Sequence, residues 1–302
     1  MKSVGVRRTD KLLRLDSNLV SMKICSTIQE TRAASRELRS NRKRLGLVPT
    51  MGALHEGHLS LVRAARSQYD AVAVSIFVNP TQFGPTEDLS KYPRQFDRDC
   101  QLLRNEGIDI LFAPTVEEIY RKGSITWVSV EGLSEKLDGR SRSGHFRGVT
   151  TIVAKLFHII EPDVAFFGQK DAAQLAIIRR MVKDLDFAVE IVSCPIMREA
   201  DGLAMSSRNA YLNSDERIRA LVLQRSLKRI EQEFKAGERA AARLISFAKE
   251  IFAGEPGVRL DYFEIVDPAT LAPVESVSQE TLIAVAAYVG STRLIDNVVL
   301  NP

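Results

Sequence analysis

Two histidines three residues apart, His55 and His58, stand in the stretch TMGALHEGH at residues 50–58. Before it, Leu45, Leu47 and Val48 read as a short buried strand that stops at Pro49. After it, Leu59, Leu61, Val62 and Ala65 return at helical spacing. At such a turn Gly52 and Gly57 let the main chain approach a ligand closely, and the first free N–H groups of the helix point to the same place. The chemistry this favours is anion binding, with both imidazoles, at i and i+3, facing the anion. Other motifs fit less well. The spacing of the two glycines matches the start of a P-loop, but His58 and Leu59 stand where that motif has Lys and Ser or Thr. HEGH is one residue short of the zinc-binding HExxH, and no motif for a third ligand accompanies it. A glycine turn whose histidines only hydrogen-bond is the bland alternative for this stretch taken alone.

Three further polar stretches carry chemistry: NPTQF from Asn79, FGQKDAAQ from Phe167 and AMSSRN from Ala204. With the first they supply His55, His58, Lys170, Ser206, Ser207 and Arg208, all partners of phosphate oxygens. They also supply Asn79, Gln82 and Gln174, which suit hydroxyls and carboxylates. Taken singly, Lys170 and Asp171 could be no more than a surface pair at a helix start.

The elements that must position these residues alternate along the chain. T-I-Q-E, with Glu30, is a capping box at Thr27 that opens a helix running towards Ser40. AVAVSIFV at residues 71–78 reads as a strand buried on both faces and ended by Asn79-Pro80. A helix over residues 95–105, a strand over 108–112 and another near 125–130 are expected next. A Gly- and Arg-rich loop, GRSRSGHFRG, then leads to a helix over 149–160. A strand over 163–167, the FGQKD turn, a helix over 172–184 and a strand over 188–192 close the series. This alternation predicts an α/β fold with a parallel sheet covered on both faces, whose ligands sit beyond the carboxyl ends of the strands. The turns PTMGALHEGH, NPTQFGP and FGQKD all follow strands and can converge there. After Pro195 the pattern changes. A polar loop precedes a helix capped at Ser214 or Asp215 and reaching Lys235, a second helix over 240–252, and β-rich runs at 262–266, 282–289 and 294–300. The expected organisation is an extension over residues 1–21, dispensable and without clean periodicity, a Rossmann-like domain over 22–196 and a smaller α+β domain over 197–302.

The composition, 45% apolar and 26% charged over 302 residues, is that of a globular chain of one large or two ordinary domains. Three widely spaced cysteines, Cys25, Cys100 and Cys194, form no CxxC motif and fit a reducing compartment. No apolar run reaches membrane-spanning length and no secretory signal is evident. The net charge of +4 is unevenly spread: residues 1–44 hold 12 Lys or Arg against 4 Asp or Glu, which leaves the rest at −4. A nucleic-acid surface on the folded body is therefore not expected.

Through these motifs the chain closely resembles the pantothenate synthetase (pantoate–β-alanine ligase) family, from about Met22 to Asn301. PTMGALHEGHLSLV looks like that family's version of the HIGH nucleotidyltransferase motif, and AMSSRN like its counterpart of the KMSKS loop. FVNPTQF, HFRGV, FFGQKD, READGLAMSSRN and TRLIDN add to the likeness. The resemblance implies a cytoplasmic homodimer that uses ATP with Mg²⁺, in a Rossmann-like domain with a smaller α+β lid. It implies that Met51, Gly52, Ala53, Leu54, His55, Glu56, Gly57 and His58 cradle the ATP phosphates, with His58 the proton donor. Gly168, Gln169, Lys170 and Asp171 would hold ribose and phosphate, and Met197 the adenine. Met205, Ser206, Ser207 and Arg208 would close over the pyrophosphate, with His55, His58, Lys170 and Arg208 the catalytic set. Gln82 and Gln174, with Asn79, would grip pantoate, and Gln82 would also lie where β-alanine enters; no protein metal ligand is assigned. Ala173 departs from the family, which often has Gln there, and residues 1–21 precede its usual start. The reaction implied is attack of an already ionised carboxylate on the α-phosphorus of ATP, then capture of the acyl adenylate by an amine. Another HIGH-type transferase is the nearest rival, opposed by the Gln82 and Gln174 pair. An RNA-binding relative of tRNA synthetases is the rival from another class, opposed by the acidic body.

Overall fold

A computed structural model describes residues 22–85 and 87–302; the extension 1–21 lies outside the described residues. Six strands, β1 (Lys23–Cys25), β2 (Leu45–Thr50), β3 (Ala71–Ile76), β4 (Ile110–Phe112), β5 (Val164–Gly168) and β6 (Glu190–Cys194), form a parallel sheet in the order β1-β4-β3-β2-β5-β6. Leu45, Leu47, Val48 and Val164–Phe166 are fully buried, as strands covered on both faces require. From β2 the chain first builds outward through β3 and β4, then returns to place β5 on the other side of β2. The order thus reverses between β2 and β5, and a cleft opens beyond their carboxyl ends.

The helices around this sheet are α1 (Ile28–Ser40), α2 (Glu56–Gln68), α3 (Phe96–Asn105), α4 (Val116–Ile119), α5 (Asp138–Ser141), α6 (His145–Ile160) and α7 (Ala172–Asp184). The capping box at Thr27 forms as read: Thr27 accepts from Glu30 N–H while the Glu30 carboxylate accepts from Thr27 N–H. Beyond β6, α8 (Ser214–Ala220), α9 (Val222–Lys235) and α10 (Ala241–Ala253) pack on an antiparallel sheet of β7 (Val258–Val266), β8 (Thr281–Val289) and β9 (Thr292–Leu300). Alternate residues of β8 enter different cores. Leu282, Ala284 and Ala286 join the cluster of α6 and α7, while Ile283, Val285, Ala287 and Val289 join that of α9 and α10. One core therefore draws on both sides of residue 196.

Several expectations are corrected. Residues 125–130 form no strand: the Thr151 hydroxyl accepts from Val128 N–H at 3.0 Å, the Thr150 hydroxyl donates to Val128 carbonyl at 2.6 Å, and Ile125 is 85% exposed. Helix α6 begins at His145 rather than Val149. The helix over 214–235 is broken at Leu221, and its cap is Asn213, paired with Glu216 in a capping box. The last strand of the parallel sheet is shifted to Glu190–Cys194, and β7 starts earlier, with a bulge between Leu260 and Tyr262. Strand β1 and helices α4 and α5 were too short to carry a period.

Candidate active site

The cleft encloses about 220 Å³ and is walled by the residues that follow β2, β3, β5 and β6. The β2–α2 turn brings Met51, His55, Gly57 and His58 to it. The turn after β3 brings Asn79 and Gln82, and the turn after β5 brings Gly168, Lys170, Asp171 and Gln174. Met197 and the run Met205, Ser206, Ser207 and Arg208 close the far side. A smaller chamber of about 60 Å³ shares Lys170, Asp171, Gln174, Ser206 and Arg208 with it.

The β2–α2 turn is built from buried main-chain bonds. Gly52 has φ +81° and Ala53 φ +50°, the second uncommon for a residue with a Cβ. The conformation is held by Asp99 of α3, 1% exposed, whose carboxylate accepts from Ala53 N–H and Leu54 N–H, each at 2.8 Å. These two N–H groups are thereby already used. Gly52, Ala53, Leu54 and Glu56 do not line the cleft, and Glu56 pairs outward with Arg63. The four stand behind the residues of this turn that line the cleft.

His55 caps α2. Its Nδ1 accepts from Gly57 N–H at 3.1 Å, while His58 Nδ1 accepts from His55 N–H at 3.4 Å, and the ring centroids lie 4.1 Å apart. With Nδ1 accepting in both rings, each neutral imidazole carries its proton on Nε2. Burial, then the neighbouring His55 and Lys170, holds the His58 pKa down to about 3; burial and then Lys170 hold His55 to about 4. Both rings are uncharged at neutral pH and offer hydrogen bonds. His58 is thus a donor of an N–H bond rather than a reserve of positive charge.

The positive side chains differ in how they are engaged. Lys170 Nζ has Asp171 at 3.6 Å. Arg208 makes a two-pronged pair with Asp88, at 3.0 and 2.9 Å, and Ser207 Oγ donates to Tyr92 Oη at 3.3 Å. Burial opposes ionisation of the Asp88 carboxyl, but the Arg208 guanidinium outweighs it and leaves its pKa low. Gln82 is 8% exposed: its Oε1 accepts from Asn79 Nδ2 at 3.1 Å, and its Nε2 meets Met51 Sδ at 2.9 Å.

Sequence reasoning left His145, Arg142 and Tyr92 unassigned, although all three line the cleft. His145 Nδ1–H donates to the Gln82 carbonyl at 2.7 Å, and its Nε2 lies 3.0 Å from Arg142 Nη1, so its proton sits on Nδ1. Burial and then Arg142 hold its pKa to about 4. Helix α6 reaches this turn because Gly148 has no side chain; a Cβ there would stand 2.4 Å from the Thr81 carbonyl oxygen. The only sequence signal for His145 was its place in HFRGV, and Tyr92 had none. Gln169 does not line the cleft; its amide is spent on Asn297 and Ser193. Among the described residues no group of three or more His, Cys, Asp or Glu side chains could hold a metal ion.

The chain is similar to known proteins over most of its length. A pantothenate synthetase of Acidobacterium capsulatum is 60% identical over 290 residues, covering 92% of this chain and 97% of that protein. The crystal structure of a pantoate-β-alanine ligase (pantothenate synthetase) from Thermus thermophilus superposes with a TM-score of 0.89 at 46% identity, covering 93% of this chain and all of that one. The pantoate-β-alanine ligase of Francisella tularensis, in complex with β-γ ATP and β-alanine, has a TM-score of 0.75 at 34% identity, covering 92% and 97%. The family model described as pantoate-β-alanine ligase matches residues 23–299, and with a match over nearly the whole chain this protein belongs to the pantoate-β-alanine ligase family.

Proposed function

We propose that this chain condenses pantoate with β-alanine at the expense of ATP, giving pantothenate, AMP and pyrophosphate through a pantoyl adenylate. The observation that carries the reading is the cleft at the β2/β5 reversal. There two neutral imidazoles, Lys170 and the 205–208 run face one space, and Gln82 and Gln174 stand at its edge. The Francisella relative, in complex with β-γ ATP and β-alanine, supports the substrate assignment.

In the first step a carboxylate oxygen of pantoate attacks the α-phosphorus, and the bond to the bridging oxygen breaks as pyrophosphate leaves. His55 and His58 donate Nε2–H bonds to phosphate oxygens, and Lys170 offsets charge that develops on them. Ser206 and Ser207 add hydroxyl donors, and Arg208 reaches the leaving pyrophosphate after parting from Asp88. Gln82 and Gln174 bind the hydroxyl and carboxylate groups of pantoate. In the second step the β-alanine amine attacks the acyl carbon and AMP departs. Seated between the β2–α2 turn and the 205–208 run, the adenylate is partly shielded from water. Mg²⁺ would enter with ATP as part of the substrate and would lower the charge on its phosphates.

Residues 197–302 act as a lid over the nucleotide, the enzyme works as a homodimer, and residues 1–21 are dispensable. The site of action is the cytoplasm, consistent with three buried free cysteines and no described helix long and apolar enough to cross a membrane. The nucleotide product tests the reaction. With pantoate, β-alanine and ATP present, AMP should form mole for mole with pantothenate, and release of ADP would overturn the proposal.

A further inference from the structure

The sequence stretch TRLIDN contributes no side chain to the main cleft through its last two residues, yet Asp296 and Asn297 are each only 3% exposed. They are consecutive on β9, the edge strand of the antiparallel sheet, so their side chains leave the strand on opposite faces. Asn297 Nδ2 donates to the carbonyls of Gln169 and Lys170, both at 2.9 Å, and its Oδ1 accepts from Gln169 Nε2 at 3.2 Å. Ser193 on β6 completes the arrangement by donating to Gln169 Oε1 at 3.0 Å. Asp296 grips Arg198 with both oxygens, at 2.7 and 2.9 Å, and Arg198 also donates to the Gly202 carbonyl at 3.1 Å. Arg198 and Gly202 belong to the small antiparallel turn that pairs Arg198 with Ala204 and sends Met205 N–H to the Met197 carbonyl at 2.9 Å. One buried dipeptide therefore holds the main chain of the Lys170 turn on one side and the base of the 205–208 run on the other.

A buried asparagine needs partners merely to offset its burial, and one or two of any kind would suffice. Here every side-chain bond of Asn297 goes to the same two-residue turn, and every one of Asp296 but that to the next main-chain N–H goes to Arg198. We propose that Asp296 and Asn297 are a positioning pair for catalysis, which fixes the separation of Lys170 from Ser206–Arg208 across the cleft. The pair touches no reacting atom and acts through the two loops. This rests on the adenylating reaction proposed above.

The test is pantoate-dependent exchange of labelled pyrophosphate into ATP, in the full chain and in Asn297→Ala, Lys170→Ala and the double variant. Asn297→Ala should lower the maximal exchange rate about 10- to 100-fold, as a displacement near 1 Å would, and leave the KM for pantoate within about threefold. Because it acts through Lys170, the double variant should be no more than about threefold slower than Lys170→Ala. Asn297→Ser keeps one short donor; it should recover part of the rate, and it is read in the same way should the alanine variant not fold. An Asn297→Ala enzyme with more than half the exchange rate, or losses that multiply in the double variant, would overturn the proposal. Absence of exchange in the unaltered chain would instead remove the reaction itself, and the pair's role with it.

Discussion

The two loops that face each other across the cleft are secured by different means. The β2–α2 turn, with the left-handed Gly52 and Ala53, is tied by buried main-chain bonds to the Asp99 carboxylate and by Gly52 N–H to Thr50 Oγ1 at 3.2 Å. The Ser206–Tyr211 segment opposite is tied by side chains: the Arg208–Asp88 pair, whose members are 26% and 21% exposed, Ser207 with Tyr92, and Tyr211 Oη donating to the Lys91 carbonyl at 3.3 Å. Buried bonds to a carboxylate are costly to lose, whereas a partly exposed ion pair contributes less and can exchange partners. The difference leaves the histidine turn as the more firmly held of the two loops and the serine–arginine run as the one whose side-chain ties can be exchanged.

Asp99→Ala should loosen the histidine turn and have the larger effect. Two hydrogen bonds to a charged acceptor, at about 1.5 to 3 kcal/mol each, are lost and two buried N–H groups are orphaned. A fall in stability of about 3 to 5 kcal/mol, read as a drop in Tm on the order of 10 °C, is expected. Asp99→Asn, which keeps one acceptor, should lose less. A Tm unchanged within 2 °C of the parent (about 1 kcal/mol) would show that the turn holds itself. Asp88→Asn should sharpen the contrast with a smaller effect. Stability should change by less than about 1 kcal/mol, and the KM for ATP should fall by up to about fivefold, because Arg208 no longer has to leave a carboxylate. A rise in that KM would mean that Asp88 aids nucleotide binding directly.

Sequence patterns disclosed the sheet because β2, β3 and β5 are short continuous apolar runs with turn residues at their ends. They disclosed which turns line the cleft, because those turns follow strands within a few positions. Elsewhere the same signals misled. The run from Ile125 to Val130 has a strand's composition, but its polar main-chain groups at Val128 are met by two threonines of α6. Strand β8, by contrast, forms where the β-rich run predicts it, and that run is continuously apolar because its two faces are buried in different cores. Asp99, Asp88 and Asn297 were not legible, since each acts on a loop distant in sequence and no local period marks a long-range partner. The engagement of Ala53 N–H and Leu54 N–H by the Asp99 carboxylate was illegible for the same reason.

The central claim, that this cleft activates a carboxylate as an adenylate before the amine arrives, is tested most directly by isotope exchange. With pantoate and Mg-ATP present and β-alanine absent, the unaltered enzyme should exchange labelled pyrophosphate into ATP. Exchange that strictly requires β-alanine, or that fails while the full reaction releases ADP, would contradict the two-step account.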